Sequence, residues 1–295
     1  MAAEESTATV GGIDVPPIVK RLLTNPKVVT ALVILIPVIV LTALGKSIAP
    51  HDPLATHPAA RFAGLGGKYP LGTDNLGRDL LSRTIVGGQK SLLLGFGAAG
   101  VSLLFGVPIG LFTGYVKGRA DELLMRLMDI MMSIPVLLLG ILLVVALGSS
   151  LVNVVLAVGI VFTPRIARVT RSATLSESEE PYVLSAKARG ESTPHILFRE
   201  ILPNVTAPIV VEGSIRVGYA ILIGTSLSFL GLGAGPPHPD WGFMISQARV
   251  YMYSSPWYLL WPSVALVSTI MAMNLLGDGL RDVLDPRTEA GGRAE

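Results

Sequence analysis

The segment 182-YVLSAKARGESTPHILFREILPN-204 is polar, although long apolar stretches precede and follow it in the chain. The charged residues in this segment and just before it are Glu177, Glu179, Glu180, Lys187, Arg189, Glu191, Arg199 and Glu200. Each charged side chain costs roughly 2.5 to 3.5 kcal/mol to place at the centre of a membrane helix. Residues 172–204 must therefore lie outside the hydrocarbon, and the sequence predicts a polar insert between two membrane-spanning segments.

The insert has the local pattern of two short helices. Serines and acidic residues in 176-SESEEP-181 favour a helix start, because negative charge interacts well with the N-terminal end of the helix dipole. Gly190 is expected to end this first helix. Thr193, as N-cap, and Pro194 predict the start of a second helix that ends before Pro203. On composition alone, such an insert also fits a solvated connection that merely joins two spans.

The composition indicates lipid as the main solvent. Of the 295 residues, 51% are hydrophobic and 15% are charged, whereas an ordinary soluble domain has about 25% charged residues. The mean hydropathy is +0.61. The net charge of +2 gives no indication of nucleic-acid binding, and the absence of cysteine excludes disulfides, thiolate metal sites and thiol nucleophiles. We expect a single membrane domain.

Six apolar stretches define the predicted architecture. They cover residues 28–45, 91–115, 124–147, 150–170, 205–231 and 257–280. Each stretch suits a helix that crosses about 30 Å of hydrocarbon, and each is far longer than a strand of a membrane barrel. The sequence therefore predicts an all-α integral membrane protein with six transmembrane helices and the insert between spans four and five.

The remaining segments follow from these spans. They are a polar leader at 1–27, a six-span domain at 28–280 with outer loops 46–90 and 232–256, and a tail at 281–295. No convincing cleavage site follows the first apolar stretch, so we interpret that stretch as an uncleaved span. Placing the N-terminus in the cytoplasm puts most of the 23 Lys and Arg residues on or near that side. Both termini and the insert are then cytoplasmic.

The outer segment 71-LGTDNLGRDLLSR-83 reads as a turn followed by a short surface helix. Asp74 or Asn75 is expected to bond the following backbone, and Gly77 permits a bend. The apolar stripe expected to lie on the bundle or the outer interface comprises Leu76, Leu80, Leu81 and Ile85. A calcium-binding loop is excluded, because Leu76 stands at an oxygen-ligand position and Ile85 stands where the closing Glu is required.

Nucleotide and metal sites have little support in this sequence. The tripeptide Gly45, Lys46, Ser47 is similar to the end of a phosphate-binding loop, but residue 40 is Val where that loop needs Gly. The four histidines are scattered over loops, and no paired general acid and base is found. Any function driven by ATP therefore requires partner subunits.

The polar insert resembles the cytoplasmic signature of ABC-importer permeases. The residues at the spacing of that signature are Tyr182, Ala186, Gly190, Leu202, Pro203 and Asn204, with Leu184 and Ser185 in place of its first Glu and Ala. In that family the insert is a coupling helix that docks into a groove of the ATPase subunit. The resemblance implies ATPase-coupling roles for Tyr182, Ala186, Lys187, Gly190, Glu191 and Pro203.

Four other stretches resemble the second, C-type permease of dipeptide and oligopeptide importers. They are 69-YPLGTDNLGRDLLSRTIVGGQKSLLLG-95, 227-LSFLGLG-233, 239-PDWG-242 and 277-GDGLRDVLDPR-287. The residues for which the resemblance implies binding-protein docking or an outer gate are Asp74, Gly77, Arg78, Asp79, Asp240 and Trp241.

The resemblance also implies a complete transporter in the bacterial inner membrane. Its parts are this chain, a second homologous permease, an extracytoplasmic substrate-binding protein and two cytoplasmic ATPases that use ATP and Mg. The chain itself is expected to be no enzyme and to bind no cofactor. Di- or oligopeptides are the implied cargo, with nickel or another small solute as the alternative. An ATP-independent secondary transporter is the rival class, and it would need more ionisable groups at mid-membrane.

Glu212 and Arg216 are the ionisable residues inside the fifth span. They stand four residues apart with Glu nearer the N-terminus, the favoured order for a helix ion pair. Because lipid penalises charge strongly, such residues are candidate functional groups. They are interpreted as a pair buried between helices, as part of the translocation path or as a contact with the sister subunit.

Two other patterns in the spans predict packing. Gly106, Gly110 and Gly114 repeat at four-residue spacing, so they form a small-residue face for close approach of a helix in the bundle or in a like subunit. Three arginines near the cytoplasmic end of the fourth span are expected to reach the lipid headgroups or to pair with acids. These arginines are Arg165, Arg168 and Arg171, and the candidate acids are Asp129 and Asp278.

Overall fold

The computed structural model describes residues 8–10, 13–233 and 235–284. Strands β1 (Ala8–Val10) and β2 (Ile13–Val15) pair as an antiparallel hairpin. The α-helices are α1 (Pro17–Thr24), α2 (Pro26–Leu44), α3 (Leu80–Val116), α4 (Gly118–Ser133), α5 (Val136–Leu147), α6 (Leu151–Glu177), α7 (Pro181–Ala188), α8 (Thr193–His195), α9 (Leu202–Asn204), α10 (Thr206–Phe229), α11 (Trp241–Ala248) and α12 (Pro256–Leu284). Short 3₁₀ turns lie at Gly45–Ser47, Pro58–Ala60 and Arg249–Tyr251, and Ile196–Ile201 is π-helical.

Five of these helices are long and apolar enough to cross a membrane. They are α2 with its 3₁₀ extension, α3, α6, α10 and α12. A sixth crossing arises if α4 and α5, which meet at an angle of 98°, form one broken span. The all-helical membrane fold is therefore confirmed, with five candidate spans in the described part of the chain, or six if α4 and α5 form one broken span.

The prediction of a continuous third span at 124–147 was wrong. α4 ends at Ser133, Ile134 is extended with φ −90° and ψ 133°, and α5 begins after Pro135. A residue that precedes proline is forced away from the helical region by the proline ring, and proline has no N–H to continue the helix. These two restrictions place the break at Ile134 and Pro135.

The second span also begins earlier than predicted. α3 starts at Leu80 rather than near residue 91, because Asp79 caps its N-terminus by accepting a hydrogen bond from the Ser82 N–H at 3.1 Å. The polar residues of its first turns have protein partners: Arg83 donates to the Pro53 carbonyl at 2.9 Å and Gln89 donates to the Thr42 carbonyl at 2.8 Å. The outer loop predicted at 46–90 therefore ends at Asp79.

The other boundaries differ by smaller amounts. α6 continues past the predicted end at residue 170 and reaches Glu177, so the insert is shorter than 172–204. α12 extends to Leu284, which places the first residues of the predicted tail in the helix. Residues 285–295 of that tail and residues 1–7, 11 and 12 of the predicted leader at 1–27 lie outside the described residues.

The close packing of α3 on α6 depends on the predicted small-residue face. A Cβ atom added at Gly106 would lie 2.9 Å from the Thr163 carbonyl oxygen, and one at Gly110 would lie 2.5 Å from the Ala167 carbonyl oxygen. At Gly114 the added Cβ would lie 2.7 Å from the Thr174 Cβ. The three glycines thus let two backbones meet within the bundle, as expected.

α10 packs against three of the other candidate spans. It packs against α3, α6 and α12, and its buried residues Ala220, Ile221 and Leu227 belong to the hydrophobic cores between these helices. By contrast, α2 and α5 expose large apolar side chains along much of their length. Such surfaces suit lipid or a second membrane protein, so α10 forms the centre of the bundle and α2 and α5 lie at its edge.

Candidate functional site

The polar insert, which we define as residues 178–204, is folded against the end of α3. Val183 and Ala186 of α7 and Ile196 and Ile201 of the following helical stretch are buried in one cluster with Leu111 of α3. Only Val205 separates the insert from α10. The insert therefore shares a hydrophobic core with α3 and continues directly into α10.

Gly190 forms the corner between the two helical parts of the insert. Its φ of +77° lies in the left-handed region, which other residues adopt at a cost of roughly 1 to 2 kcal/mol. The Glu191 N–H donates to the Ala186 carbonyl at 3.2 Å, and the Gly190 N–H donates to the Lys187 carbonyl at 3.0 Å. These two bonds are the pair of the Schellman C-cap, so Gly190 ends α7 as predicted.

The second helical part of the insert differs from the prediction at both ends. Its first helix, α8, begins at Thr193 with Ser192 in the N-cap position, so Thr193 is not the cap. The chain also passes Pro203 without a break, because a π-helical turn lets the Leu202 N–H reach the Leu197 carbonyl before α9 continues. Proline needs no N–H partner in the first turn of a helix, which explains its place in α9.

Tyr182 joins the two halves of the insert. Its hydroxyl hydrogen-bonds the Glu177 carboxylate and accepts a bond of 2.9 Å from the Asn204 side-chain amide. Burial, together with the neighbouring Glu177, raises the pKa of the Tyr182 phenol above its usual value. Lys187, for its part, lies 4.5 Å from the centre of the Tyr115 ring. Tyr182 and Lys187 are therefore held by contacts inside the protein.

Charged groups of the insert also face one another. Arg189 lies 3.6 Å from Glu191 and 3.9 Å from Glu200, and His195 lies within 4.0 Å of both acids. These are loose surface pairs, worth little stability each. The charges predicted to face an ATPase are thus partly engaged within the insert.

Two large apolar side chains remain open on the insert. Leu184 is 51% exposed and Phe198 is 49% exposed. Neither residue was predicted as a site, although Leu184 stands where the ABC-importer signature has its first Glu.

On the opposite side of the bundle, Asp74 organises a buried ion cluster. Its carboxylate lies 2.6 Å from the Arg78 Nε and 3.5 Å from the Arg83 Nε, and it also accepts the Leu76 and Arg78 N–H groups. All three charged side chains are almost fully buried. Arg83 was not among the predicted site residues, because a lone arginine at the edge of an apolar stretch gives no sign of its partner.

Asp79 and two glycines complete the fold of this outer loop. The Asp79 carboxylate caps α3 and lies 3.3 Å from the His51 Nδ1. Gly77 has a φ of +75°, and a Cβ there would lie 1.9 Å from the His57 carbonyl oxygen, so no other residue fits. A similar approach to Ala63 fixes Gly72. The loop is therefore a compact unit rather than a turn and a surface helix.

Asp240 and Trp241 begin α11, which lies between α3 and α10. The Asp240 carboxylate caps the helix by accepting the Phe243 N–H at 2.9 Å, and burial raises its pKa above the usual value. The Trp241 indole N–H donates to the Thr84 carbonyl at 2.9 Å, and a Cβ at Gly88 would lie 2.8 Å from the Trp241 ring. Both residues are buried.

This burial changes how the predicted outer residues can act. Asp74, Arg78, Asp79, Asp240 and Trp241 are enclosed by the protein, so in this conformation their side chains shape the outer surface and do not form it. The most exposed large apolar groups on this side lie in the turn between α11 and α12, where Val250 and Tyr253 are 72% and 93% exposed.

An Asp74→Asn substitution is expected to loosen the outer loop. Removing one member of a buried ion cluster leaves uncompensated charge on Arg78 and Arg83, which costs roughly 3 to 5 kcal/mol. Limited proteolysis of the purified protein should show faster cleavage between residues 48 and 79, and the apparent melting temperature should fall. Asp52→Asn, at an exposed carboxylate of the same loop, is the matched control and should change neither. Equal behaviour of the two variants would contradict the structural role of Asp74.

The arginines of α6 have specific partners. Arg168 pairs with Asp129 of α4, as predicted, and Arg171 makes two hydrogen bonds of 2.6 Å to Asp121, an acid that was not foreseen. Asp278, the other predicted partner, lies instead near Lys27. Both acids that pair with these arginines therefore lie on α4, which packs against α6.

Glu212 and Arg216 form the predicted ion pair on α10. The Glu212 Oε1 lies 3.0 Å from the Arg216 Nε and 3.6 Å from the Nε of Arg165, so the pair is extended by a third residue from α6. The Arg216 guanidinium also lies 4.6 Å from the Tyr219 ring centre and 5.5 Å from that of Phe162. The structure thus brings together a charged cluster between α10 and α6, in which Glu212 and Arg216 are largely buried and Arg165 is exposed.

Sequence similarity to known proteins shows which family this chain belongs to. The family described as "Binding-protein-dependent transport system inner membrane component" matches residues 106–290. The chain belongs to this family. It is accordingly a multi-pass membrane protein and a permease component of a transport system that works with a binding protein.

Several relatives are similar over most of this permease. The dipeptide transport system permease protein DppC of Alkalihalophilus pseudofirmus is 38% identical over 92% of the chain and 89% of the relative. The probable D,D-dipeptide transport system permease protein DdpC of Escherichia coli is 40% identical over 91% and 90%. The glutathione transport system permease protein GsiD of Pectobacterium atrosepticum is 44% identical over 75% and 73%. The resemblance to permeases of dipeptide and oligopeptide importers, which the sequence motifs indicated, is thus confirmed.

A solved transporter shares the fold of the permease. A chain of the MetNI methionine ABC transporter in an inward-facing conformation matches with a TM-score of 0.56 and 20% identity. The match covers 68% of this chain and 96% of that one. At this identity the likeness supports the helical arrangement alone.

Proposed function

We propose that this permease is the C-type membrane subunit of an ATP-driven importer of di- and oligopeptides. The observation that carries the proposal is identity of about 40% over most of the chain to permeases named for dipeptide transport. The relative named for glutathione, itself a small peptide, supports the same cargo class. Glu212 and Arg216 are assigned to the translocation path, because they are ionisable groups in a membrane-spanning helix and Glu212 lines a cavity beside that helix.

The proposed assembly contains four kinds of protein. A second homologous permease covers the open side of this bundle, two ATPases that use ATP and Mg bind the polar inserts, and an external binding protein delivers peptide to the outer loops. Leu184 and Phe198 support a protein partner at the insert, since both are open apolar groups on a polar segment. The outer docking surface is proposed to be shaped by the Asp74 cluster and by Asp240 and Trp241.

Transport is proposed to follow from two-state gating. Closure of the ATPase pair moves each insert, and the bundle changes between inward-open and outward-open states because the partners bind the two states differently. The rigid contact of the insert with α3 and its direct continuation into α10 support this coupling. Both termini and the insert are proposed to lie in the cytoplasm, because most of the Lys and Arg residues then lie on or near that side.

A reconstituted transporter tests the proposal. The permease is co-purified from membranes with its associated subunits, placed in liposomes and supplied with the binding protein, and labelled dipeptide uptake is measured. Uptake should require both ATP and the binding protein. Uptake that is driven by a proton or sodium gradient without any ATPase would contradict the proposal and favour a secondary transporter. Uptake of nickel in place of peptide would reassign the cargo.

A further inference from the structure

The charged cluster on α10 and α6 is not balanced. It contains one acid, Glu212, and two bases, Arg165 and Arg216. Among the described residues, neither arginine has another acidic partner within 4.0 Å. The cluster therefore carries a surplus positive charge inside the membrane-spanning part of the protein, where unpaired charge is expensive.

Both arginines keep hydrogen-bonding capacity. The Arg216 Nε and the Glu212 Oε1 are buried and have no aligned hydrogen bond, although they are close enough to attract each other. Arg216 is otherwise held by the faces of Phe162 and Tyr219. The Arg165 side chain is 56% exposed and meets Glu212 at only 3.6 Å. An anion that approaches the cluster thus finds free guanidinium N–H donors.

The cluster lies between two cavities along one stripe of α10. A cavity of about 540 Å³ is lined by Ala207, Pro208 and Glu212, among other residues, toward the start of the helix. A second cavity of about 250 Å³ is lined by Leu222, Ser226 and Phe229 toward its end. Arg216 and Tyr219 fall between these two sets in the helix, at the three- and four-residue spacing that places them on the same side. A solute that passes from one cavity to the other meets the charged cluster.

We propose that Arg165 and Arg216 bind the C-terminal carboxylate of the peptide during its passage, with Glu212 positioning Arg216. This inference rests on the proposed function. Free peptides of any sequence share one α-carboxylate, and guanidinium groups bind carboxylates through paired, charge-assisted hydrogen bonds. Glu212 neutralises part of the charge, which keeps the contact weak enough for release, as transport requires.

The test compares uptake of trialanine with uptake of the same peptide amidated at its C-terminus. Both are measured in liposomes that contain the complete transporter and saturating binding protein. Arg165→Gln should lower the ratio of acid to amide uptake about tenfold, the effect of losing one charge-assisted hydrogen bond. Any preference of the binding protein for the acid or the amide changes the wild-type and variant ratios by the same factor. It therefore cancels when the two ratios are compared. ATP hydrolysis stimulated by the binding protein should be retained.

Two further variants separate recognition from structure. Arg165→Lys keeps the positive charge and should retain much of the wild-type ratio. Arg168→Gln removes an arginine one turn away on α6 that is paired with Asp129, and it should leave the ratio unchanged. Arg165 is chosen over Arg216 because its half-exposed side chain is not needed to fill the core.

The outcomes divide clearly. An unchanged ratio in Arg165→Gln with normal uptake overturns the inference. An equal loss of acid and amide uptake also overturns it, because the arginine would then serve the fold or bind an anion of the lipid headgroups. If the wild-type transporter takes up trialanine with ATP and the binding protein, the proposed function stands whichever ratio is found. If the wild-type transporter takes up no peptide, the proposed function is contradicted, and the inference that rests on it falls as well.

Discussion

A Gly190→Glu substitution is expected to abolish peptide uptake while the protein remains inserted in the membrane. No atom lies within 4 Å of a Cβ added at this corner, so the bundle has no need to rearrange. The positive φ costs roughly 1 to 2 kcal/mol, which a folded membrane domain tolerates. The new carboxylate, however, lies on the surface that the ATPase is proposed to bind. Burial of an unpaired charge in that interface opposes docking. Uptake into liposomes and co-purification of the ATPases are the measurements.

Gly118→Glu provides the matched control. Gly118 has a φ of +67° and, like Gly190, no atom within 4 Å of an added Cβ. The variant therefore introduces the same charge and similar backbone strain at the junction of α3 and α4, outside the insert, and uptake should persist. Normal uptake by Gly190→Glu would count against docking at the insert. Equal loss in both variants would point to strain or charge rather than to the coupling surface.

Gly110→Leu is expected to prevent recovery of folded permease. The added Cβ would lie 2.5 Å from the Ala167 carbonyl oxygen and 2.9 Å from the Arg171 backbone nitrogen, and backbone atoms cannot move aside without separating α3 from α6. Overpacking typically costs about 1 to 3 kcal/mol, and a contact between two backbones lies at the upper end or beyond. The yield of monodisperse protein in detergent and its apparent melting temperature measure the effect.

Gly100→Leu tests whether the loss is specific to packing. Gly100 lies on the same helix, but an added Cβ has no atom within 4 Å there. Both variants change glycine to leucine and gain helix propensity alike, so they differ in packing alone. The Gly100 variant should be recovered at the wild-type level. A fully stable Gly110→Leu protein would show that α3 and α6 do not pack as closely as the structure indicates.

The sequence predicts the helical membrane fold well because hydrophobic length is a local property. It also predicts the corner at Gly190 and the ion pair of Glu212 and Arg216, since both depend on residues close together in the chain. The start of α3 was missed, because the Gln89 side-chain amide donates a hydrogen bond to the carbonyl of Thr42, a residue of a different helix. Such a long-range partner is not visible in the local sequence. The break at Pro135 had a local signal, the proline itself, which the apolar composition outweighed in the prediction.

The outer residues show the limit of reasoning from motifs. Asp74 and Arg78 stand in a stretch that resembles a family signature, and a signature does not distinguish a residue that touches a partner from one that shapes the surface. The structure makes that distinction through burial. Asp121 was missed for another reason: its pairing with Arg171 depends on how α4 packs against α6, which is a tertiary property.

The length of α5 links this permease to the thickness of its bilayer. With 12 residues, α5 extends about 18 Å, far short of the roughly 30 Å of a typical hydrocarbon layer. The resulting hydrophobic mismatch is relieved where the bilayer thins around the helix or where a neighbouring protein subunit shields the ends of the helix. The length of the lipid acyl chains and the association with another subunit should therefore both change the stability of the membrane domain at α5.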